Sequence, residues 1–475
     1  MSNHTPRHAT AQLALRTVTA VAATLILAVS LVLVALGLPQ GLVAALQGQV
    51  RAIPTIEVLA AEPDRVAVCM GPALSFGSQG LTAIGYGASQ ETIVGDQVTT
   101  TPITDTTVTD GFALEQVITP APPVILSQPV EAGVLAGTSA QTLNNLNVTG
   151  LAASECQVPQ RELWLVGGDT TTGRQTALSL VNPSDVQALI DIEVWGSTGP
   201  IVAPLGRGIL LAPYSQRVIS LAGLAPNEVS PVVRVTSNSV GIVGSLHSTI
   251  VRGLVADGVS VSGSEPPPSS LRVITGAYTP PEEVLGPIRG KEGYRDVGAI
   301  LRLLSPDGDA EASITVTVSG GEDSVLQVQL IAGETKDLLL DEFDTGDISV
   351  VIESENPVVA ALRTSLGTDA RTDTDWVGSA PEITGDTAFA VPGVGEARLS
   401  LVNRGSADIT VTLDGRDVVV PAGNFVTRPV GVGSHTLSSL QPFFAAVSLR
   451  AETAIESFMV LPTPAPQGSV MVSVR

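Results

Sequence analysis

The chain reads as an all-β protein: tandem immunoglobulin-like antiparallel β-sandwiches behind one N-terminal transmembrane helix. Three observations carry that expectation. Past residue 160, short runs of alternating Val, Leu, Ile and Thr are broken about every 8 to 12 residues by Gly, Pro, Asn or Asp, the pattern of strands and tight turns. The same order of strands recurs three times. Hydrophobic residues make up 44% of the 475 and charged ones only 15%, too apolar for a polar disordered chain.

At the N-terminus, Val18 to Leu38 carries no charge and would span roughly 30 Å as a helix, the thickness of a bilayer core. Arg7 and Arg16 precede it, which keeps the N-terminus cytoplasmic by the positive-inside rule. The expected order is a cytoplasmic tail at 1–16, a transmembrane anchor at 17–38 and a stalk at 39–63. A cleaved signal peptide is the competing interpretation; the apolar run is longer than such peptides use, and Gly37 to Gln40 is a poor cleavage site. Either way the bulk of the chain is exported, single-pass at the plasma membrane in the anchored case.

Residues 64–159 hold both cysteines, Cys69 and Cys156. Two lone cysteines in an exported region point to a disulfide, the alternative being two buried free thiols. The region matches the later repeats poorly and is either a fourth, diverged sandwich or a set of strands that complete a neighbour.

The three repeats are expected at 160–265, 271–378 and 387–475. Each begins with an apolar strand and a polar turn, at Asn182, Ser305 and Asn403, so the units are roughly 100 residues long, the size of a sandwich domain. Their next strands are Ile190 to Trp195, Ile314 to Val318 and Ile409 to Leu413. The last hairpins align as Val232 to Ser248, Ile348 to Ser365 and Ala445 to Leu461. Glu265 to Ser270 (EPPPSS) reads as a stiff linker between the first two units, and Ser379 to Asp386 as the second boundary.

Cys69-Met70-Gly71-Pro72, Gly150-Leu151-Ala152 shortly before Cys156, Trp164 to Gly168 and Leu180-Val181-Asn182-Pro183 together resemble the spine of a domain-of-unknown-function family of actinobacterial secreted or membrane-anchored proteins, over roughly residues 60 to 475. That resemblance implies an anchored envelope protein with β-sandwich repeats and brings no catalytic residues with it.

Function classes narrow by composition. A net charge of -22 repels a phosphate backbone, so nucleic acid is not an expected partner. Gly168 to Gln175 has the glycine spacing of a phosphate-binding loop, but Arg174 stands for the essential Lys, Gln175 for the magnesium-binding Ser or Thr, and a strand follows where a helix is needed. Three acidic groups could offer calcium its oxygens: Asp307, Asp309 and Glu311; Asp341, Asp344 and Asp347; Asp369, Asp373 and Asp375. None completes a known calcium spacing, and solvated turns are the simpler explanation. His247 and His435 are the only imidazoles beyond residue 8, without a nucleophile motif beside them. Trp164, Trp195 and Trp376 could stack on a sugar, although core packing suits tryptophans inside strands better. The expectation is no catalytic, metal or cofactor site; a disulfide between Cys69 and Cys156; and a structural or binding role in the cell envelope. Its partners would be the membrane, through the N-terminal helix, and a cell-wall polymer or another envelope protein. A carbohydrate-binding or adhesin module is the alternative, and an exported glycan hydrolase a weaker one, since convergence of two carboxylates is invisible in sequence.

Overall fold

The period-two runs form strands as expected, because alternating Val, Ile and Leu can bury one face while Thr and Ser meet solvent on the other. A computed structural model describes residues 55–58, 64–76, 83–109, 114–118, 121–145, 148–294, 296–340, 345–368, 371–463 and 470–473. The protein is all-β: the helices among these residues are short, such as Leu221–Leu224 and Glu282–Arg289. None is long and apolar enough to cross a membrane. The tail and anchor expected at 1–38, and the stalk apart from Thr55–Val58, lie outside the described residues. Thr55–Val58 pairs antiparallel with Val470–Ser473 and belongs with it to a separate small unit.

Within Glu62–Pro466 the three repeats each build a core. The first packs Leu163, Leu165, Ile190 and Ile192 of one sheet against Leu178, Leu180 and Leu246 of another. The second is centred on Leu301, Ile314 and Ile352, the third on Leu399, Val411 and Val447. In the second and third, one long strand belongs to both sheets: Gly346–Thr368 and Gly433–Arg450 each pair with one sheet in their first half and with the other in their second. Both bend at a proline, Pro357 and Pro442, which lacks the N–H that would continue the ladder. The sequence alignment of the third repeat is therefore shifted. Ala445 to Leu461 covers the end of its bent strand and the strand after it, whereas Gly433–Arg450 is the counterpart of Gly346–Thr368.

The repeated polar turn is a clamp. Asn182 is buried and donates to the carbonyls of Val186, Leu211 and Ala212 while accepting from the Ser184 amide. Asn403 does the same with Ala407, Val420 and Gly405. Ser305, equally buried, closes its own turn on Gly308.

The Cys-containing region supplies strands and side chains that complete its neighbours. Asp105–Thr109 adds a parallel strand to the first repeat's sheet beside Ser215–Ser220, and Ala140, Leu151 and Ala153 pack into the third repeat's core. It also keeps an antiparallel hairpin, Ala136–Asn144 with Thr149–Glu155. Cys69 and Cys156 are joined, fastening Arg65–Cys69 to the end of that hairpin, with both residues buried. Alkylating reagent added to the native protein without reductant is expected to label neither cysteine, and to label both after reduction and unfolding; labelling before reduction would refute the bond.

The segments expected as linkers are packed. Glu265 is buried and bridges Trp164, Ser269 already opens a strand, and Ser379 and Ile383 are fully buried. Each block instead ends in a hairpin whose last strand is an edge of its sheet: Thr149–Glu155, Val255–Gly263, Arg371–Gly378 and Ile455–Met459. Those four edges pack beside one another in that order, and the last returns to the first, around a common axis. Apolar clusters seal the joints, among them Trp164, Trp195 and Trp376 between the first and second repeats and Val273, Phe425 and Phe444 between the second and third.

Candidate functional site

Four sheet edges buried against each other pose a chemical problem: their outward N–H groups have no ladder partner and no water. Acidic side chains from the neighbouring strands solve it. Asp373 reaches the axis from Arg371–Gly378 and accepts an amide N–H from each of the other three edges: Leu151 at 2.9 Å, Val259 at 3.0 Å and Ile455 at 3.1 Å. Glu456 accepts from the Val261 amide at 2.7 Å and the Ser260 hydroxyl at 3.2 Å, and the same Ser260 oxygen takes the Trp376 amide at 3.1 Å. Glu155 accepts from the Met459 amide at 3.2 Å and from Gln157 at 2.9 Å. Asp257 binds the Thr372 amide and hydroxyl, both at 2.6 Å, and the Arg252 guanidinium. Gly150 is required here, since at φ +137° a Cβ would lie 2.2 Å from an Asp373 oxygen.

Burial dominates the electrostatics. It raises the carboxyls of Asp373 and Glu155 above their ordinary values, against the lowering pull of their N–H donors. Glu456 is raised strongly by burial and then by the neighbouring Asp375 and Asp373. Asp375 is pushed up to about 7 and Glu265 to about 8, both chiefly by burial.

The acidic group at 369–375 is thus not a solvated turn. Asp373 and Asp375 are fully buried on a strand, while Asp369 lies outside the described residues. Asp341 and Asp344 also lie outside them, and Asp347 pairs with Arg450 and Arg398. Asp307 and Asp309 are exposed at a turn, where Asp309 accepts the Ala332 amide, and Glu311 is exposed on the strand Ala310–Val318. Among the described residues no cluster of His, Cys, Asp and Glu has a metal-binding arrangement.

The remaining sequence candidates are structural in their contacts. His247 is buried, its Nδ1 accepting the Leu74 amide and its Nε2 bonded to Ser245; burial holds its pKa at about 3, so it is neutral. His435 sits in the third repeat between Asp414 and the Gly431 carbonyl, stacked on Phe389. Gly168 to Gln175 is a turn between two facing sheets, closed by Asp169 on Thr171 and leading into the strand Arg174–Asn182. The tryptophans offer no platform: Trp164, Trp195 and Trp376 are 1%, 8% and 4% exposed. Trp376 lies under Arg302, which is itself fully buried, chelates Asp337 through two bonds of 2.9 Å and donates to the carbonyls of Gly168, Val229 and Pro231 across the joint.

The cleft at that joint, bordered by Gly168, Arg174, Ser248, Arg363, Thr374 and Trp376, has room for about one or two waters. A second, beside Glu155, Glu265 and Met459, holds about one. The axial acids were missed in sequence, although one signal was present. Glu155 in LAASEC and Glu456 in AIESFM each interrupt an otherwise apolar or small-residue strand, the mark of an acid facing inward.

Fold and site together define a class: four β-blocks closed about a buried acidic axis. The chain belongs to DUF5719, a family of unknown function, which it matches over residues 114–442. No curated protein matches it. Among solved structures, the Anabaena sensory rhodopsin transducer is 21% identical over 19% of this chain and 89% of its own, with a TM-score of 0.15. A tetra-tandem repeat from the extending region of a large adhesion protein is 12% identical over 85% and 92%, with a TM-score of 0.12. The FN1–FN3 domains of chicken CNTN1 are 9% identical over 67% and 99%, with a TM-score of 0.10. Likenesses this slight carry no argument about fold or function.

Proposed function

We propose that the chain is an exported, non-catalytic protein of the cell envelope, its immunoglobulin-like blocks held outside the plasma membrane by the apolar segment at 17–38 and its role structural or binding. One observation supports this above the others: Asp373, Glu456 and Glu155 are engaged with backbone amides of neighbouring strands, and the clefts beside them have room for little more than water. A hydrolase needs a carboxyl pair that a substrate can reach. The buried disulfide fits an oxidising compartment. Calorimetry of the purified chain against isolated cell-wall polymer separates a binder, which releases or absorbs heat, from a scaffold, which does not. Turnover of the same polymer would overturn the proposal, and so would survival of residues 64–463 when protease is added to intact, wall-stripped cells.

A further inference from the structure

Asp375 is the anomaly of the axis. Alternation along Arg371–Gly378 places it on the same face as Asp373, yet where Asp373 is surrounded by N–H donors, no well-formed hydrogen bond reaches either oxygen of the fully buried Asp375. Its polar neighbour is Ser457, whose hydroxyl and amide approach without well-formed bonds and hold the carboxyl down only in part against burial. Glu456, next to Ser457 on the adjoining edge, uses Oε1 for the Val261 amide and the Ser260 hydroxyl and leaves Oε2 buried and unpaired. A bare carboxylate in that position is costly, and a second acid close enough to raise it makes it more so.

Among the described residues, the surrounding elements offer Asp375 and Glu456 no compensating cation. The charges acting on Glu456 are Asp375 and Asp373, both acidic. Thr149–Glu155 contributes Glu155, another acid. Val255–Gly263 contributes the Ser260 hydroxyl, while its Asp257 is engaged by Arg252 and Thr372. Arg302 and Arg363 lie over Trp376, on the opposite face of the strand from Asp375.

We propose that Asp375 and Glu456 form a proton-dependent latch between the second and third repeats: the axis is closed while both carboxyls are neutral and loosens when they ionise. A carboxyl whose folded value lies above its unfolded one adds stability that is complete below the ordinary carboxylate range and lost as pH rises through the folded value. For Asp375 that value is about 7, and Glu456 is shifted in the same direction. Glu265, pushed to about 8 by burial, adds to the same slope from outside the latch. His247, held at about 3, weakens the fold only on the acid side of its ordinary value and does not enter this window.

The test uses the full chain. Its melting temperature is expected to fall by about 5 °C or more between about pH 6 and pH 9, and the double variant Asp375→Asn with Glu456→Gln to lose a clear share of that fall, keeping the part due to Glu265, Asp373 and Glu155, which burial raises in the same direction. Infrared spectra of the unmodified chain provide a readout that needs no variant: a protonated-carboxyl stretch present near pH 6 and fading toward about pH 9. Amide exchange at Val261 and Ile455 should rise over the same range faster than at Leu178 in the first repeat's core. A melting temperature flat across the range, a double variant that tracks the parent, or an infrared spectrum without the protonated band near pH 6 would each overturn the latch.

Discussion

Replacing Asp373 by alanine is expected to destabilise the protein by about 3–6 kcal/mol, because it orphans three buried amides at once and each unsatisfied group costs about 1–3 kcal/mol. The affected N–H groups, of Leu151, Val259 and Ile455, belong to three different blocks. The loss should therefore appear as weakened association of the blocks about the axis, with each block's own apolar core left intact. Urea unfolding followed by circular dichroism measures the total. Amide exchange locates it, and Leu151, Val259 and Ile455 should lose protection well before Leu178 or Leu301. Asp373→Asn keeps one acceptor oxygen but adds an amide with no acceptor to meet, so it should recover only part of the loss. As a control, Glu353→Ala at the Glu353–Arg404 surface pair should change stability by no more than about 0.5 kcal/mol. A change at Asp373→Ala no larger than that of the control would show that the axial carboxylate is dispensable.

Arg302→Ala is expected to cost about 3–5 kcal/mol, the range for breaking a buried, hydrogen-bonded ion pair. Arg302 is fully buried and Asp337 partly so. The guanidinium also satisfies three carbonyls of the first repeat while standing on the Trp376 ring, 4.5 Å from its centroid. Removing it leaves those carbonyls without a donor and the tryptophan facing a void. Lysine cannot restore the arrangement, because one ammonium has three donors and no planar fork to chelate Asp337 while reaching the carbonyls. Arg302→Lys should thus fall between alanine and the parent, and tryptophan fluorescence should report changed surroundings of Trp376 in both. A lysine variant as stable as the parent would mean that charge alone matters at this joint.

Much of the local structure was legible in the sequence. Period-two runs predict strands because one face must be buried, and Asn182, Ser305 and Asn403 mark turns because their short polar side chains can close on backbone groups. The disulfide was expected from two lone cysteines in a chain read from its sequence as exported. The register of the third repeat was not legible, since Ala445 to Arg450 alternates in the same way as any other strand, and only the position of Pro442 separates the bent strand from its neighbour. The acidic axis was half visible. Asp373 and Asp375 stood out as acids, but their sequence neighbours made them look like a turn.

The sequence by itself determined the class of the protein, its alternating strands, its clamped turns and its single disulfide, all set by interactions within a few residues or by the count of one residue type. The tertiary structure alone decided that the edges near residues 150, 260, 373 and 456 meet, that the Pro-rich stretch at 265–270 is packed rather than extended, and that acids expected in water are buried. The physical reason is that an unpaired strand edge carries the same N–H groups wherever it lies. Whether they meet water, another strand or a carboxylate depends on chain segments 82 to 304 residues away, about which a local pattern holds no information.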